Sequence, residues 1–276
     1  MSGELERARK AVRELNKTLK NLPADPPPNE VHKLRTATRR VEAIAVALAQ
    51  VESKESRRAL KAIEPIRKAA GGVREMDVLL ANARRLARTS AGDPLTRLVE
   101  HLQIARQQNA DLLRRALGRR RDAARENLKQ YSKFIRSALT PQKSVASVNG
   151  LPDRWHEGVH TAAMGVIREL GEWPPLNAEN IHAFRLKVKV LRYIMQLSGD
   201  ANSSLEETLG NVQRRIGDWH DWQQLEEIAG QLLSEERDGA LLTRISAITI
   251  RKFHQALRAA NALRGKYLTM PFAQGA

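Results

Sequence analysis

The sequence predicts an all-α fold made of two related helical bundles, and three observations support this prediction. Aromatic residues make up only 4% of the 276 residues, and Ala, Leu, Arg and Glu dominate, a composition that favours helices over strands. Apolar residues recur every three or four positions, which is the spacing of one helix face. Two short segments also recur in the same order about 150 residues apart, which suggests a duplicated unit.

Proline and glycine breaks divide the first half into helices. Leu5, Val12, Leu15 and Leu19 mark a first amphipathic helix. The proline-rich residues 23–28 end it, because consecutive prolines cannot continue a helix. We expect the next helix to begin after Asn29 as its N-cap.

The rest of this half is predicted to form further helices with one glycine break. A third helix is expected over residues 53–70. Gly71 and Gly72 are expected to separate it from a fourth helix over residues 73–88. One or two long helices then continue to about residue 138.

The second half resumes the same pattern after a polar segment. Residues 141–152 are rich in Ser, Pro, Gly and Asn, which predicts a linker between a first half (residues 1–140) and a second half (residues 153–276). Asn180 is expected to cap a helix that follows a Trp-Pro-Pro break. Two more helices are predicted to reach about residue 263.

The charge of the chain predicts an anionic partner. The formal net charge is +16 and the isoelectric point is about 10.6. Residues 1–150 carry 32 Lys and Arg against 16 Asp and Glu, whereas residues 151–276 carry 15 of each. This excess predicts binding to polyanions but does not identify which one.

Several classes of protein are excluded or disfavoured by the sequence. The absence of cysteine excludes disulfides, zinc–thiolate sites and cysteine nucleophiles. No apolar run approaches the roughly 20 residues that span a bilayer, and the N-terminal residues are too charged for a signal peptide. We therefore expect no membrane partner and a cytoplasmic location.

Two basic stripes follow from helical spacing, because residues three, four or seven apart share one face of a helix. The first stripe is His32, Arg35 and Arg39. The second stripe is His182, Arg185, Lys189 and Arg192. Each begins near a helix N-terminus, where free N–H groups also favour anions. Packing about a pseudo-two-fold axis would let both stripes line one basic central groove or pore.

Ordinary explanations of these stripes remain open at this stage. A solvated helix face would also carry such arginines, and helix histidines often make structural hydrogen bonds. Against a solvated face, the second stripe lacks acidic partners at helical spacing, and the other flank of its helix is apolar. Like charges four residues apart destabilise an isolated helix, so a ligand is expected to supply the missing countercharge.

The repeated motifs resemble those of the CHAD family, the conserved histidine α-helical domains. Val31-His32-Lys33-Leu34-Arg35, followed by Arg39-Arg40, matches the first copy of the family pattern. Ile181-His182-Ala183-Phe184-Arg185, with Lys189 and Arg192, matches the second copy. Val73-Arg74-Glu75-Met76-Asp77-Val78 matches the downstream element, and residues 217–221 match its weaker second copy. The likeness covers roughly residues 5–265.

The resemblance implies a binding protein without catalytic activity and without a cofactor. It implies that inorganic polyphosphate, and conceivably other polyanions, binds between two helical halves, and that the protein associates with polyphosphate granules. Arg40, Arg67 and Arg74 join the two stripes as expected binding residues, with Arg67 and Arg74 on one face if their helix is continuous. Glu42 and Val190 depart from the pattern, since the family often has a basic residue at each.

Two other functions were weighed against polyphosphate binding. A nucleic-acid-binding protein would suit the charge, but the tryptophans are not interleaved with the basic stripes as stacking residues would be. An enzyme acting on phosphates would need a metal clamp or a phosphate-cradling loop. The only catalytic candidate is the cluster Asp218, His220 and Asp221, for which helix capping is the simpler explanation. The sequence leaves the oligomeric state open.

Overall fold

The computed structural model describes residues 3–47, 53–87, 92–139, 151–198 and 203–268, and these residues form an all-α fold without strands. The described helices are α1 (Gly3–Asn21), α2 (Pro28–Ala47), α3 (Lys54–Ala87), α4 (Asp93–Leu139), α5 (Leu151–Gly171), α6 (Ile181–Ser198), α7 (Ser203–Leu232) and α8 (Glu235–Leu263). A π-helical turn, Arg264–Leu268, follows α8. The predicted all-α class is confirmed.

Two helix starts show how proline and asparagine act locally. The prediction that α2 begins after Asn29 is wrong, because the helix begins at Pro28. Proline suits the first turn, where its missing N–H leaves no helical bond unmade, and the N–H groups of Glu30 and Val31 donate to the Pro27 carbonyl at 2.9 and 3.1 Å. Asn180 immediately precedes α6, and its carbonyl accepts the Phe184 N–H at 3.1 Å, as expected of a cap.

Helix α3 corrects the expected break at Gly71 and Gly72, because it is one helix from Lys54 to Ala87. A Cβ atom at Gly72 would overlap the side chain of Asn109 in α4. The glycine is therefore needed for close approach of the two helices, although each glycine in a helix costs about 1 kcal/mol relative to alanine. Tertiary packing here overrides the local preference of the glycine pair for a turn.

The predicted linker falls mostly outside the described residues. Residues 140–150 are among those not described, and α5 begins directly after them at Leu151. Residues 269–276 at the end of the chain are also not described. Leu268, just before them, is buried. No described helix has the length and apolar character needed to cross a membrane.

The chain divides into two compact units. Unit 1 comprises Met1–Val78, His101–Ala162 and Gln196–Gly199, and unit 2 comprises Leu79–Glu100, Ala163–Met195 and Asp200–Ala276. Each unit therefore draws segments from both sides of the predicted linker. A division into two halves at residues 141–152 and a groove shared by them stay predictions.

Unit 1 is built on apolar faces that match the predicted periodicity. In α1, Val12, Leu15 and Leu19 are fully buried, and α1 packs against α2. Leu5 belonged to the same predicted face, but its side chain is not among those described.

An ion pair joins α3 to α4 in unit 1, because Arg106 Nε lies 3.0 Å from Oδ1 of Asp77, whose side chain is only 5% exposed. Asp77 of the downstream motif thus has a structural contact.

Unit 2 has its own core around α6, α7 and α8. The predicted packing face of α6 is confirmed, since Phe184, Val188 and Leu191 are fully buried in it. Trp219 of α7 packs against Phe253 of α8 with ring centroids 5.2 Å apart. With its apolar side fixed in this core, α6 must turn the residues of the second stripe toward α7 or solvent.

Candidate functional site

A basic pocket lies between α2 and α3 in unit 1. Its volume is about 250 Å³, and its lining is mainly basic: Arg35, Arg39, Arg67, Lys68, Gly71, Gly72 and Glu75. The half-buried Arg35 donates from Nη1 to the Gly71 carbonyl at 3.0 Å. A Cβ at Gly71 would lie 3.3 Å from this nitrogen, so the glycine lets the guanidinium lie against the helix backbone. Three predicted binding residues therefore meet in one cavity.

Glu42 neutralises part of this pocket from α2. Its Oε2 lies 3.0 Å from Arg39 Nη1, and its Oε1 lies 2.6 Å from Arg67 Nε. All three side chains are between 22% and 33% exposed, so water screens these charges less than at an open surface. One carboxylate thus bridges two of the arginines that were predicted to bind an anion.

The structure does not bring the other predicted residues of unit 1 into this pocket. His32 is exposed at the start of α2. Arg40 points to α1, where its Nη1 lies 3.7 Å from Glu14 Oε2. Arg74 is half-buried on the same α3 face as Arg67, since that helix is continuous, but it does not line the cavity.

In unit 2, Gln213 of α7 holds two arginines of the second stripe. Arg185 donates from Nε to the Gln213 backbone carbonyl at 3.2 Å. Arg192, seven residues further along α6, donates from Nη1 to the Gln213 side-chain oxygen at 3.3 Å. Arg192 Nε is buried and has no hydrogen-bond partner among the described residues. Lys189 is half-buried between them on the same face.

Two glycines of α7 face these arginines, but only one of them is needed to make room. A Cβ at Gly217 would lie 2.7 Å from Nη2 of Arg185, which is too close for a real contact. A Cβ at Gly210 would lie 3.5 Å from Cζ of Arg192, an ordinary van der Waals distance. Gly217 therefore fixes where the Arg185 guanidinium can lie, whereas Gly210 does not constrain Arg192.

His182 of the second stripe pairs with His220 of α7, a contact that was not predicted from the sequence. The rings of His182 and His220 have centroids 4.4 Å apart, at an interplanar angle of 54°. His182 Nδ1 is buried and has no hydrogen-bond partner among the described residues. The two histidines are 38 residues apart, so only the packing of α6 against α7 brings them together.

Both histidines are held in the neutral form. Burial lowers the pKa of His182 from its ordinary value of 6.5, and the charges of His220 and Arg185 lower it further. Burial and then Arg185 lower the pKa of His220 in the same direction, although a hydrogen bond with Gln223 opposes them. At pH 7 the pair therefore adds little positive charge to the stripe until an anion approaches.

The cluster of Asp218, His220 and Asp221 is not explained by helix capping, but the described residues give no support to a catalytic role either. Asp218, His220 and Asp221 lie in the middle of α7, so the interpretation as helix caps is wrong. Asp218 Oδ2 instead lies 3.4 Å from Lys252 Nζ of α8, and the His220 ring packs against the His182 ring. Within the described ranges, no group of three or more His, Asp or Glu side chains could hold a metal ion.

A second basic pocket of unit 1 lies along α1 and was not predicted from the sequence. It has a volume of about 730 Å³, with lining residues Glu6, Arg7, Lys10, Arg13, Glu14, Asn16, Lys17, Lys20 and, from α4, Arg125. The signal was available, since Lys10, Arg13 and Lys17 follow helical spacing opposite the buried face of α1. Their exposure makes this surface suitable for diffuse attraction of any polyanion.

Comparison with known proteins gives one positive result. The family model described as CHAD domain matches residues 6–230. No curated protein and no solved structure is significantly similar to the chain. The matched segment includes α2, α3, α6 and most of α7, which carry the two stripes and their contacts. The chain therefore belongs to the CHAD domain family.

Proposed function

We propose that this protein binds inorganic polyphosphate without catalysing a reaction. The family is associated with polyphosphate binding. The observation that carries the proposal is the second stripe, where one glutamine and one glycine of α7 position Arg185 and a buried Arg192 nitrogen lacks a hydrogen-bond partner among the described residues. Guanidinium groups suit this role, because their planar set of N–H donors can make two parallel hydrogen bonds to phosphate oxygens.

The mechanism we infer is multivalent electrostatic binding along an extended chain. Polyphosphate carries about one charge for each phosphate, so successive phosphates contact successive side chains of a stripe. The cations of unit 1, Arg67 among them, and those of unit 2 each add contacts of this kind. Each contact releases counterions, and the released ions supply much of the free energy of binding. The same attraction supports association of the protein with polyphosphate granules in the cytoplasm.

The salt dependence of binding tests this mechanism. If about eight basic groups engage, the slope of log affinity against log salt should be near −6, taking roughly 0.7 for each contact with a flexible single strand. Fluorescence anisotropy with labelled long-chain polyphosphate across a salt series measures the slope. A slope near zero would contradict multivalent ion pairing.

Binding is also expected to strengthen as the pH falls. A bound polyanion favours charged imidazoles, so His182 and His220 should take up protons on binding, and affinity should rise about 10-fold from about pH 8 to about pH 5.5.

In the absence of the anion, a fall in pH should instead destabilise the folded protein. Because the folded-state pKa values lie below the unfolded value, the free energy of unfolding falls as the pH drops below about 6.5.

Isothermal titration calorimetry in two buffers of different ionisation enthalpy measures this proton uptake. The variant His182→Gln/His220→Gln should show a flatter pH profile, whereas His101→Gln, at an exposed position of α4, should keep the full dependence. An equal response from both variants would remove the histidine pair from the mechanism.

A further inference from the structure

The two stripes carry opposite charges at one corresponding position. In the 150-residue repeat, Glu42 corresponds to Arg192. Glu42 lies seven residues after Arg35, and Arg192 lies seven residues after Arg185. Each therefore lies on the same helix face as the arginine that precedes it. A negative side chain in unit 1 thus stands where unit 2 has a positive one.

The contacts of Glu42 show what this exchange does to unit 1. Its carboxylate reaches Arg39 and Arg67 at 3.0 and 2.6 Å, and both arginines line the 250 Å³ pocket. A carboxylate that bridges two guanidinium groups makes the type of charge-assisted contacts that a phosphate would make. An incoming phosphate must therefore compete with Glu42 for both arginines.

Among the described residues, unit 2 offers no such competitor at the corresponding position. The described partner of Arg192 is the neutral side-chain oxygen of Gln213 at 3.3 Å. A phosphate that approaches Arg192 therefore displaces no ion pair that the described residues show. The free-energy cost of binding a phosphate at this position therefore differs between unit 1 and unit 2.

We propose that Glu42 is a resident counter-ion of the unit 1 pocket, which makes unit 2 the stronger binding element for polyphosphate. The inference rests on the proposed function and concerns its regulation by charge. Unit 1 then engages only when a chain segment of high charge density displaces the Glu42 carboxylate from Arg39 and Arg67. Long polyphosphate meets this requirement more readily than short oligophosphates, because a segment already held elsewhere raises the local concentration of the next one.

The substitution Glu42→Gln tests the proposal, because it removes the charge but keeps the shape and one hydrogen-bonding oxygen. Binding of long-chain polyphosphate should strengthen about 10-fold, and the log–log salt slope should steepen by about 1.4 as two contacts become available, at roughly 0.7 for each. The matched control is Glu126→Gln. Glu126 lies in an exposed ion pair with Lys129, at 3.1 Å, in the same unit, and its substitution changes the net charge equally but should alter affinity less than about 2-fold.

A comparison of single charge reversals gives a second, independent measurement. In the unmodified chain, Arg185→Glu should weaken binding more than Arg35→Glu does. In the Glu42→Gln background the two losses should become more similar, because Arg39 and Arg67, which line the unit 1 pocket beside Glu75, are then no longer paired with the Glu42 carboxylate. Circular dichroism melting of each variant identifies any that fails to fold.

The outcomes separate this inference from the proposed function. Tighter binding by Glu42→Gln but not by Glu126→Gln supports the resident counter-ion. Equal affinities of the two variants, with normal polyphosphate binding by the unmodified chain, would overturn the inference alone. Failure of the unmodified chain and both variants to bind polyphosphate would overturn the proposed function, and the inference with it.

Discussion

A chain carrying Arg35→Glu and Arg185→Glu is expected to bind long-chain polyphosphate about 100-fold more weakly than the unmodified chain. Each arginine lies against a neighbouring helix, through the Gly71 carbonyl and the Gln213 carbonyl respectively, so each is held in place before the anion arrives. Loss of a hydrogen bond to a charged group costs about 1.5 to 3 kcal/mol, and each 1.4 kcal/mol corresponds to a factor of 10 in affinity.

The control for this variant carries the same charge change at an unrelated position. Arg57→Glu with Arg58→Glu alters two exposed residues near the start of α3 and should weaken binding by less than about 3-fold at physiological salt. Fluorescence anisotropy with labelled polyphosphate measures both variants. Equal losses would mean that general charge, and not the positioned arginines, is responsible for binding.

The second large effect is expected from Gly217→Ala, which should separate binding from stability. The added methyl group would lie 2.7 Å from Arg185 Nη2, so the guanidinium must move. The affinity for polyphosphate should fall about 10-fold, the effect of one misplaced charged contact. The melting temperature should stay the same or rise, because alanine is favoured over glycine within a helix by about 1 kcal/mol.

Gly210→Ala is the matched control, seven residues earlier on the same helix. Its methyl group would meet Arg192 Cζ at 3.5 Å, an ordinary contact, so it should gain helix stability without moving an arginine. Thermal unfolding and polyphosphate titration of the two variants, run in parallel, measure the difference. A loss of stability without a loss of affinity in Gly217→Ala would show that the glycine serves packing and not the site.

Helical periodicity predicted most of the fold because it depends on local spacing. The buried face of α6, with Phe184, Val188 and Leu191, was predicted correctly from that spacing alone. The break at Gly71 and Gly72 was predicted incorrectly. A glycine pair favours a turn in isolation. Only the approach of Asn109 from α4 shows why the continuous helix has a residue without a side chain at Gly72.

The same limit explains which parts of the site could be predicted. Spacing placed Arg185 and Arg192 on one face, and in the structure both contact Gln213. Spacing could not show that Glu42 pairs with Arg67, or that the His182 ring packs against the His220 ring. Both are contacts between helices, and periodicity says which residues share a face but not what lies opposite that face.

Competition between polyanions tests the central claim most directly. Labelled long-chain polyphosphate is bound at physiological salt, and single-stranded DNA or transfer RNA is added at an equal or larger phosphate concentration. If the positioned arginines of the stripes recognise polyphosphate, it should remain bound in a large excess of nucleic acid. Displacement at equal phosphate concentration would contradict the account and show a general polyanion-binding protein, in which exposed cations such as those of α1 do the binding.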